Sequence, residues 1–219
     1  MNITTEDVVS PQQITIEVLG SEHVEAATKC IADTFAAGEP MSEHLGITPD
    51  EFIQFAHLFI TKAASEGLSL VALNQEQRVI GSIIAEDYAT EPPAGLETIS
   101  EKFAPVFALL ESLGERYVAM REVSPGSHCH LFMCGVYPAY TKRQLAQKLI
   151  RSVQDIARAR GFKTSVCEAT GYISQFMCGT RLGFNHLDEI SYRTFLLDGK
   201  PVFAGITSVD SCVLYEQEL

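Results

Sequence analysis

The chain has 219 residues, of which 46% are hydrophobic, and it carries a formal net charge of −12 at pH 7. This composition supports a sizeable buried core and excludes an intrinsically disordered chain. The acidic balance also argues against nucleic acid and anionic membrane as partners, because both are polyanions. No linker-like stretch is present, so we predict a single domain over residues 1–219.

The beginning of the chain, MNITTEDVVSPQQ, is polar and acidic and does not have the pattern of a secretory signal. No apolar run approaches the roughly 20 residues that a membrane span requires. We therefore expect a soluble, cytoplasmic protein.

The six cysteines are scattered through apolar segments without paired metal spacing, which predicts buried, reduced thiols. A metal site is conceivable only where His128 and His130 precede Cys134. Strand alternation would place these three side chains on one face, but over roughly 20 Å, which is too far for one ion. We therefore predict that no metal is bound.

The first half of the chain predicts a strand over 13–19 and a helix over 23–37 with Ser21 as its N-cap. A second helix begins at the cap Thr48, with Pro49 in its first turn, and ends at Gly67. Two β-rich segments, 68–73 and 79–86, flank NQEQ and predict a hairpin. Residues 89–95 form a loop.

The second half begins with a helical pattern over 96–121, which we interpret as a helical insertion with a break near Pro105. The apolar run HLFMCGV (130–136) predicts a buried strand, and leucines at helical spacing predict a helix after it. A strand over 164–168, a helix over 174–181 closed by Gly183, and strands over 191–197 and 209–216 follow. This order predicts a mixed α/β sheet covered by helices.

Basic residues are concentrated at that central helix. Seven of the 16 Lys and Arg residues lie within 142–163, and Lys142 and Arg143 lie where the helix begins. The exposed N–H groups of a helix N-terminus attract anions and repel cations, so cations at that end indicate a bound anion such as a pyrophosphate. A solvated polar helix face is the alternative interpretation.

The order of elements and the segment GVYPAYTKRQLAQKLI (135–150) resemble the GNAT superfamily of acyl-CoA-dependent N-acyltransferases. This resemblance implies a mixed, mostly antiparallel sheet of about seven strands flanked by helices, and acetyl-CoA as co-substrate. In the family pattern Gln/Arg-x-x-Gly-x-Gly/Ala, Thr141 occupies the first position, Gln144 replaces the first glycine and Ala146 meets the last. The pattern is therefore degenerate, and a Cβ at Gln144 narrows the cradle, that is, the space in which the turn would hold a ligand.

The resemblance also implies which residues bind the cofactor. In the family, backbone amides of this turn hold the CoA pyrophosphate, which here assigns Thr141, Lys142, Arg143, Gln144, Leu145, Ala146 and Gln147. The strand before the turn pairs with pantetheine, which assigns the backbone at Cys134 and Val136, where Gly135 permits close approach. A nucleophilic role for Cys134 is disfavoured, because no adjacent base is implied.

The segment FAAGEPM (35–41) and the ending YRTFLLDGKPVF resemble the arylalkylamine N-acetyltransferase branch of insects. Glu39 then occupies the position of the general base. An alkylammonium, with a pKa of about 10, cannot attack a thioester until it loses a proton. A partly desolvated Glu39 can accept that proton directly or through water. The alternative is an ordinary loop carboxylate.

The general acid is harder to assign. The family tyrosine four residues before the closing Gly-Phe falls at Gly179 and is absent. We assign Tyr172 as a candidate, against the alternative of a tyrosine that only packs at a helix start. A CoA thiol is acidic enough to leave with little help, so the missing tyrosine slows catalysis without abolishing it.

These features predict an N-acetyltransferase that acts on a small primary amine by direct attack in a ternary complex. Glu39, Glu86 and Asp87 are expected to make the acceptor pocket negative, with 96–121 as part of its wall. A non-catalytic CoA-binding or regulatory module remains the alternative. An unrelated nucleotide-binding protein is disfavoured, because neither Gly-x-Gly-x-x-Gly nor a Gly-Lys-Ser/Thr loop is present. The amine and the oligomeric state, including a homodimer, stay open.

Overall fold

One mixed β-sheet positions the other elements of the fold. A computed structural model describes residues 14–36 and 38–219. Within these residues, the strands form one sheet in the order β1-β2-β3-β4-β5-β7-β6, and only β4 and β5 are parallel neighbours. The predicted fold class, a mostly antiparallel mixed sheet of about seven strands flanked by helices, is confirmed.

The strands and helices have the following bounds. The strands are β1 Thr15–Val18, β2 Leu70–Leu73, β3 Val79–Asp87, β4 His128–Val136, β5 Thr164–Ala169, β6 Asn185–Ser191 and β7 Ser211–Glu218. The α-helices are α1 Val24–Ala36, α2 Pro40–His44, α3 Pro49–Glu66, α4 Ala104–Met120, α5 Leu145–Ala159 and α6 Tyr172–Gln175. Turns of 3-10 helix lie at Ser21–His23, Leu96–Thr98, Glu101–Phe103 and Pro138–Arg143, and α6 continues as a π-helix over Phe176–Leu182.

The start and end of α3 follow directly from its sequence. The Glu51 amide donates to Thr48 Oγ1 at 3.3 Å, and the Thr48 amide donates to the Glu51 carboxylate at 2.8 Å. Pro49 lies in the first turn, and Gly67 ends the helix in the left-handed region with φ 70°. The predicted boundaries are confirmed, because each residue satisfies a backbone requirement of a helix end.

The predicted cap of α1 is wrong. Ser21 lies inside a 3-10 turn that precedes the helix, and Gly20 is the capping residue of that turn. The Gly20 amide donates to Nδ1 of His23 at 3.1 Å, so a histidine ring replaces the predicted serine hydroxyl. Residues 13 and 37, the predicted outer ends of the first strand and helix, lie outside the described residues.

The helical pattern over 96–121 is present in three pieces. Two 3-10 turns precede α4, and Pro105 lies in the first turn of that helix. A proline is tolerated there because the first amides of a helix have no partner within the helix. The break therefore comes before Pro105, and the helix starts where the proline allows it.

The last two strands are displaced from their predicted positions. Residues 185–191 form β6, whereas 192–194 form a turn and 195–197 are irregular apart from an isolated bridge at Leu197, instead of the predicted strand. Two aromatic residues there pack in a loop, where the ring of Phe203 lies 5.8 Å from Tyr192 and 5.9 Å from Phe195. The polar strand β6 was missed because it lies at the sheet edge and pairs only with β7, so alternating burial is weak.

A β-bulge separates β4 from β5. Leu131 and Met133 pair with consecutive residues of β3, which makes Phe132 an extra residue of β4. The pairing of β4 with β5 ends at His130, although β4 continues to Val136. Because a bulge bends the strand that contains it, β4 departs from β5 at this point and the sheet opens.

The bulge also changes the face on which later residues of β4 lie. His130 contacts the rings of Tyr88 and Phe132 on one face, whereas Cys134 packs in the core on the other face. The prediction that His128, His130 and Cys134 share one face is therefore wrong, since it assumed uninterrupted alternation. Both histidines do lie on the same face, where the Tyr117 ring of α4 lies 5.7 Å from His128.

Helices cover both faces of the sheet. On one face, α5 and the π-helical segment pack on β2, β3, β4 and β5. On the other face, α1 and α3 cover β3 and β4, and α4 covers the end of the sheet that contains β6. Gly135 allows α1 to approach β4, because a Cβ at this position would lie 2.2 Å from Thr34 Oγ1.

We predict that Gly135→Ala lowers the free energy of unfolding by roughly 1–3 kcal/mol, since overpacking forces α1 away from β4. Urea denaturation of the variant measures this loss. Thr34→Ala introduced into the same variant removes the clashing hydroxyl and should restore much of the stability. Equal stability of Gly135→Ala and the unchanged protein would show that α1 moves without cost.

Candidate active site

A cavity of about 550 Å³ lies where β4 and β5 part. Ala146 and Ile150 of α5 line it on one face of the sheet. Phe52 of α3 and Leu110 of α4 line it on the other face. The cavity therefore passes through the sheet, and two molecules that enter from opposite faces can meet between the strands.

The α5 side of the cavity contains four of the predicted cofactor residues. Cys134, Val136, Thr141 and Ala146 all line it. The Thr141 hydroxyl donates to the Pro138 carbonyl at 3.0 Å, so its side chain holds the 3-10 turn that leads into α5. This side therefore combines a stretch of β4 that pairs with β3 but not with β5 with the N-terminal end of a helix, where amide groups point outward.

The other predicted cofactor residues have different environments. Leu145 is buried in the core under α5, whereas Arg143 is exposed with its guanidinium carbon 5.6 Å from the Tyr140 ring centre. Gln147 is half-buried in the first turn of α5. For Lys142 only the backbone is described, within the turn Pro138–Arg143.

Gln144 lies in the left-handed region, with φ 57° and ψ 28°, immediately before α5. A non-glycine residue is strained there, and this is the position at which the family pattern has glycine. The Gln144 carbonyl accepts from the Lys148 amide at 3.0 Å, so the residue starts α5 despite this conformation. The turn thus keeps the backbone path that a glycine would favour.

The basic residues of 142–163 divide into two groups. Lys148 and Arg151 are exposed on the first half of α5, near the cavity end of the helix. Arg158 donates to Asp155 at 2.8 Å, and Arg160 donates to the carbonyls of the α3 end at 2.7 and 2.8 Å. Arg158 is therefore paired within α5, and Arg160 connects the end of α5 to the end of α3.

Aromatic side chains form the wall of the cavity on the α3 side. The Phe103 ring lies 4.8 Å from Phe55, which in turn lies 6.1 Å from Phe132 of the bulge. Phe35 and Phe52 extend this wall with ring centres 5.4 Å apart. The cavity is also lined by Phe103, Val106 and Leu110, so the segment 96–121 forms part of its wall.

Glu39 lies in this half of the cavity and is 8% exposed. Its carboxylate accepts from the Met41 amide at 3.1 Å, and from the amide and hydroxyl of Ser42, both at 2.7 Å. The residue is thus the N-cap of α2, held in a fixed orientation against the cavity. It is a buried, positioned carboxylate and not an ordinary loop residue.

The charged residues that line the described part of the cavity are all acidic: Glu39, Glu43 and Glu168. The expectation for Glu86 and Asp87 is wrong, since neither lines it. Glu86 is bound to Lys62 at 2.6 Å, and Asp87 accepts from the Gly126 amide at 2.6 Å. The negative character is therefore present, but β5 and α2 provide it instead of β3.

Glu168 and His130 are the functional candidates that sequence reasoning missed. Nε2 of His130 lies 2.7 Å from Glu168, and Nδ1 lies 3.3 Å from Glu86. Burial by itself lowers the pKa of His130, but the two carboxylates outweigh it and raise this pKa to about 10. His130 is therefore an imidazolium at neutral pH. The sequence signal for this pair was Glu168, a lone acidic residue in the strand 164–169.

Candidate general acids lie at the rim of the cavity. Tyr172 is 68% exposed and stacks on Phe176 with ring centres 6.4 Å apart. The Ser174 hydroxyl lines the cavity and donates to the Gly171 carbonyl at 2.9 Å. A Cβ added at Gly179 would lie 3.1 Å from the Tyr215 hydroxyl. Tyr215 therefore occupies the space next to the position where the family has its tyrosine.

Burial raises the pKa of the Cys134 thiol to about 12, so this group is neutral beside the cavity. The six cysteines are free thiols. Among residues 14–36 and 38–219, no group of three or more His, Cys, Asp or Glu is arranged to hold a metal ion. No described helix is both long and apolar enough to cross a bilayer.

Comparison with protein families gives a match to the acetyltransferase (GNAT) family over residues 39–184. This match covers more than half of the chain and includes α2, the β4–α5 segment and the π-helix. Comparison by sequence with curated proteins gives no significant match.

Solved structures with the same fold are numerous. The C-terminal condensation domain of Ebony in complex with beta-alanyl-dopamine superposes with a TM-score of 0.82 at 18% identity, covering 95% of this chain and 100% of that one. Arylalkylamine N-acetyltransferase 2 from Aedes aegypti gives a TM-score of 0.77 at 20% identity, covering 94% and 99%. The polyamine N-acetyltransferase of Drosophila melanogaster gives 0.74 at 20% identity, covering 94% and 100%.

The charge of His130 yields a prediction on stability and pH. Its pKa is about 10 when folded and near 6.5 when unfolded, so its stabilisation is complete below pH 6.5 and is lost as pH rises through 10. The stability difference between the unchanged protein and His130→Gln should fall by about 4 kcal/mol between pH 6 and pH 10.5. Urea denaturation at several pH values measures it. A difference that stays constant would mean that His130 is neutral in the folded protein.

Proposed function

Because the chain belongs to the acetyltransferase (GNAT) family, we propose that it transfers an acetyl group from acetyl-CoA to a small primary amine in the cytoplasm. The observation that carries this proposal is the cavity through the sheet, with a helix N-terminus and basic residues at one side and, among the described residues, only carboxylates as charged groups at the other. An anionic cofactor fits the first side, and a cationic amine fits the second.

In this proposal the cofactor lies on the α5 side. The pyrophosphate binds the backbone amides over residues 141–147, and the pantetheine arm runs along the end of β4 that does not pair with β5, at Cys134 and Val136. Support comes from four of these residues, which line the cavity, and from the end of pairing at His130. Strand amides freed from pairing can then polarise the thioester carbonyl.

The acceptor enters from the α2–α3–α4 side. Glu39 accepts a proton from the ammonium, the neutral nitrogen attacks the thioester carbonyl, and the carbon–sulfur bond breaks to release the CoA thiolate. The attacking nitrogen loses its second proton to solvent, and the thiolate takes a proton from solvent or from Tyr172, which solvent then reprotonates. The neighbours that act on arylalkylamines and on polyamines support an amine acceptor of this kind. The aromatic wall excludes water from the reacting atoms.

The second candidate function is a CoA-binding module without catalysis. Two observations favour it, namely the strained Gln144 in the pyrophosphate turn and the absence of a tyrosine at Gly179. Release of free thiol from acetyl-CoA in the presence of a panel of amines separates the two functions. An enzyme releases CoA only when a suitable amine is present, whereas a binding module is stabilised by acetyl-CoA without turnover.

We predict that Glu39→Gln lowers kcat/KM for the amine by about 100-fold at neutral pH, because the general base is lost. The rate should recover as the pH approaches the pKa of the amine. Thiol release across a pH series measures both effects. Glu51→Gln is the matched control, since Glu51 also caps a helix but does not line the cavity. An unchanged rate and pH profile in Glu39→Gln would exclude Glu39 as the base.

We predict that Gln144→Gly raises the free energy of unfolding by about 1 kcal/mol, because glycine adopts a positive φ without strain. The same variant should bind CoA more tightly, since the Cβ that narrows the cradle is removed. Denaturation and calorimetry measure the two quantities. Higher stability with unchanged CoA affinity would place the pyrophosphate away from this turn.

A further inference from the structure

Glu168 is a buried carboxylate that lines the cavity on β5, with its side chain 8% exposed. Its Oε2 lies 2.7 Å from Nε2 of His130. No described side chain or amide donates a hydrogen bond to its other oxygen, Oε1. This oxygen is not among the fully buried atoms that lack a partner, so it remains accessible from the cavity. A carboxylate held at one oxygen in an apolar wall leaves the second oxygen available to a ligand.

The charge around Glu168 is not balanced by the protein. Glu168 and Glu86 flank His130, and Lys62 bridges Glu86 at 2.6 Å and Glu66 at 3.0 Å. Burial opposes the charge of Lys62, but these two carboxylates raise its pKa, and His130 is an imidazolium. Three carboxylates against two cations leave one negative charge, and of the three only Glu168 lines the cavity.

Glu168 is also well placed relative to the proposed base. Pro40, next to Glu39, lies beside Gly171, where an added Cβ would be 3.3 Å from the proline ring. Gly171 follows Glu168 by three residues, which is on the order of 10 Å along an extended chain. One small molecule can therefore reach Glu168 while its reacting end lies at Glu39.

We propose that Glu168, positioned by His130, is a cation subsite that binds a second alkylammonium group in the ternary complex. This inference rests on the proposed function, since it concerns the molecules that react in the cavity. The ammonium group has two possible sources, namely the far end of a diamine acceptor and an amino group on the acyl chain of the donor. In both cases a primary ammonium donates to Oε1 of Glu168 and removes the unbalanced charge.

The test uses Glu168→Gln, which keeps the shape and removes the charge. In the first arm, acetyl-CoA is combined with 1,5-diaminopentane or with pentylamine. In the second arm, pentylamine is combined with 3-aminopropionyl-CoA or with propionyl-CoA. The variant should lower kcat/KM at least about tenfold for one doubly functional reactant and change its singly functional counterpart by less than about twofold. The arm that responds identifies the source.

Glu216→Gln is the matched control. Glu216 is a half-buried carboxylate on the adjacent strand β7, paired with Arg121, and it does not line the cavity. Its variant should affect the two reactants of each pair equally. Equal losses in Glu168→Gln for all four combinations, or no loss in either arm, would overturn the subsite and leave Glu168 a structural partner of His130.

Two further outcomes are distinguishable. If Glu168→Gln fails to fold, the unchanged protein decides, because the subsite requires about a tenfold preference for one doubly functional reactant, and no preference overturns it. If no combination releases CoA from the unchanged protein, the proposed reaction fails. The subsite is then tested by calorimetry, and it is refuted if 1,5-diaminopentane binds no more tightly than pentylamine and 3-aminopropionyl-CoA binds no more tightly than propionyl-CoA.

Discussion

The departure of β4 from β5 is the structural constraint on which the site depends. Among the described strands these two are the only parallel neighbours, and their pairing stops at His130, two residues before the extra residue Phe132. Without this bulge, β4 and β5 would stay hydrogen-bonded and the sheet would separate the two halves of the cavity. With it, the backbone of 131–136 is released on the side of β5, and a passage opens through the sheet.

The bulge also explains how the charges are distributed. It leaves His130 on the α3 face and Cys134 on the α5 face, so the ionised cluster and the neutral thiol are separated by the sheet. The α5 side has a helix N-terminus and exposed cations, whereas the α3 side has carboxylates among aromatic rings. The protein is acidic overall, yet the α5 side of the cavity has a local positive field and the opposite side has a negative one.

Much of the fold could be predicted from local signals. The capping box at Thr48, the glycine ends at Gly67 and Gly183, and the apolar strand before α5 each satisfy a short-range backbone or packing requirement. Edge strand β6 could not be predicted, because its residues are polar and the apolar residues after it pack in a loop. The bulge was equally hidden, since HLFMCGV is apolar on both faces and shows no change of period.

The candidate site divides in the same way. Residues assigned by resemblance, such as Glu39, Ala146 and Val136, line the cavity. They could be assigned because they lie within or next to the motifs that identify them. Glu168 and His130 are 38 residues apart in the chain and meet only through strand pairing between β4 and β5. No local motif marks such a pair. The strain at Gln144 follows from the sequence only if the turn path is already known.

A crystal structure of the protein with acetyl-CoA is the most direct test of the central claim that the gap between β4 and β5 is the meeting place of donor and acceptor. The pantetheine arm should lie in this gap, with the thioester beside Cys134 and Val136 and the pyrophosphate against the amides of 141–147. Acetyl-CoA bound on another surface, with the passage through the sheet left open, would contradict the account.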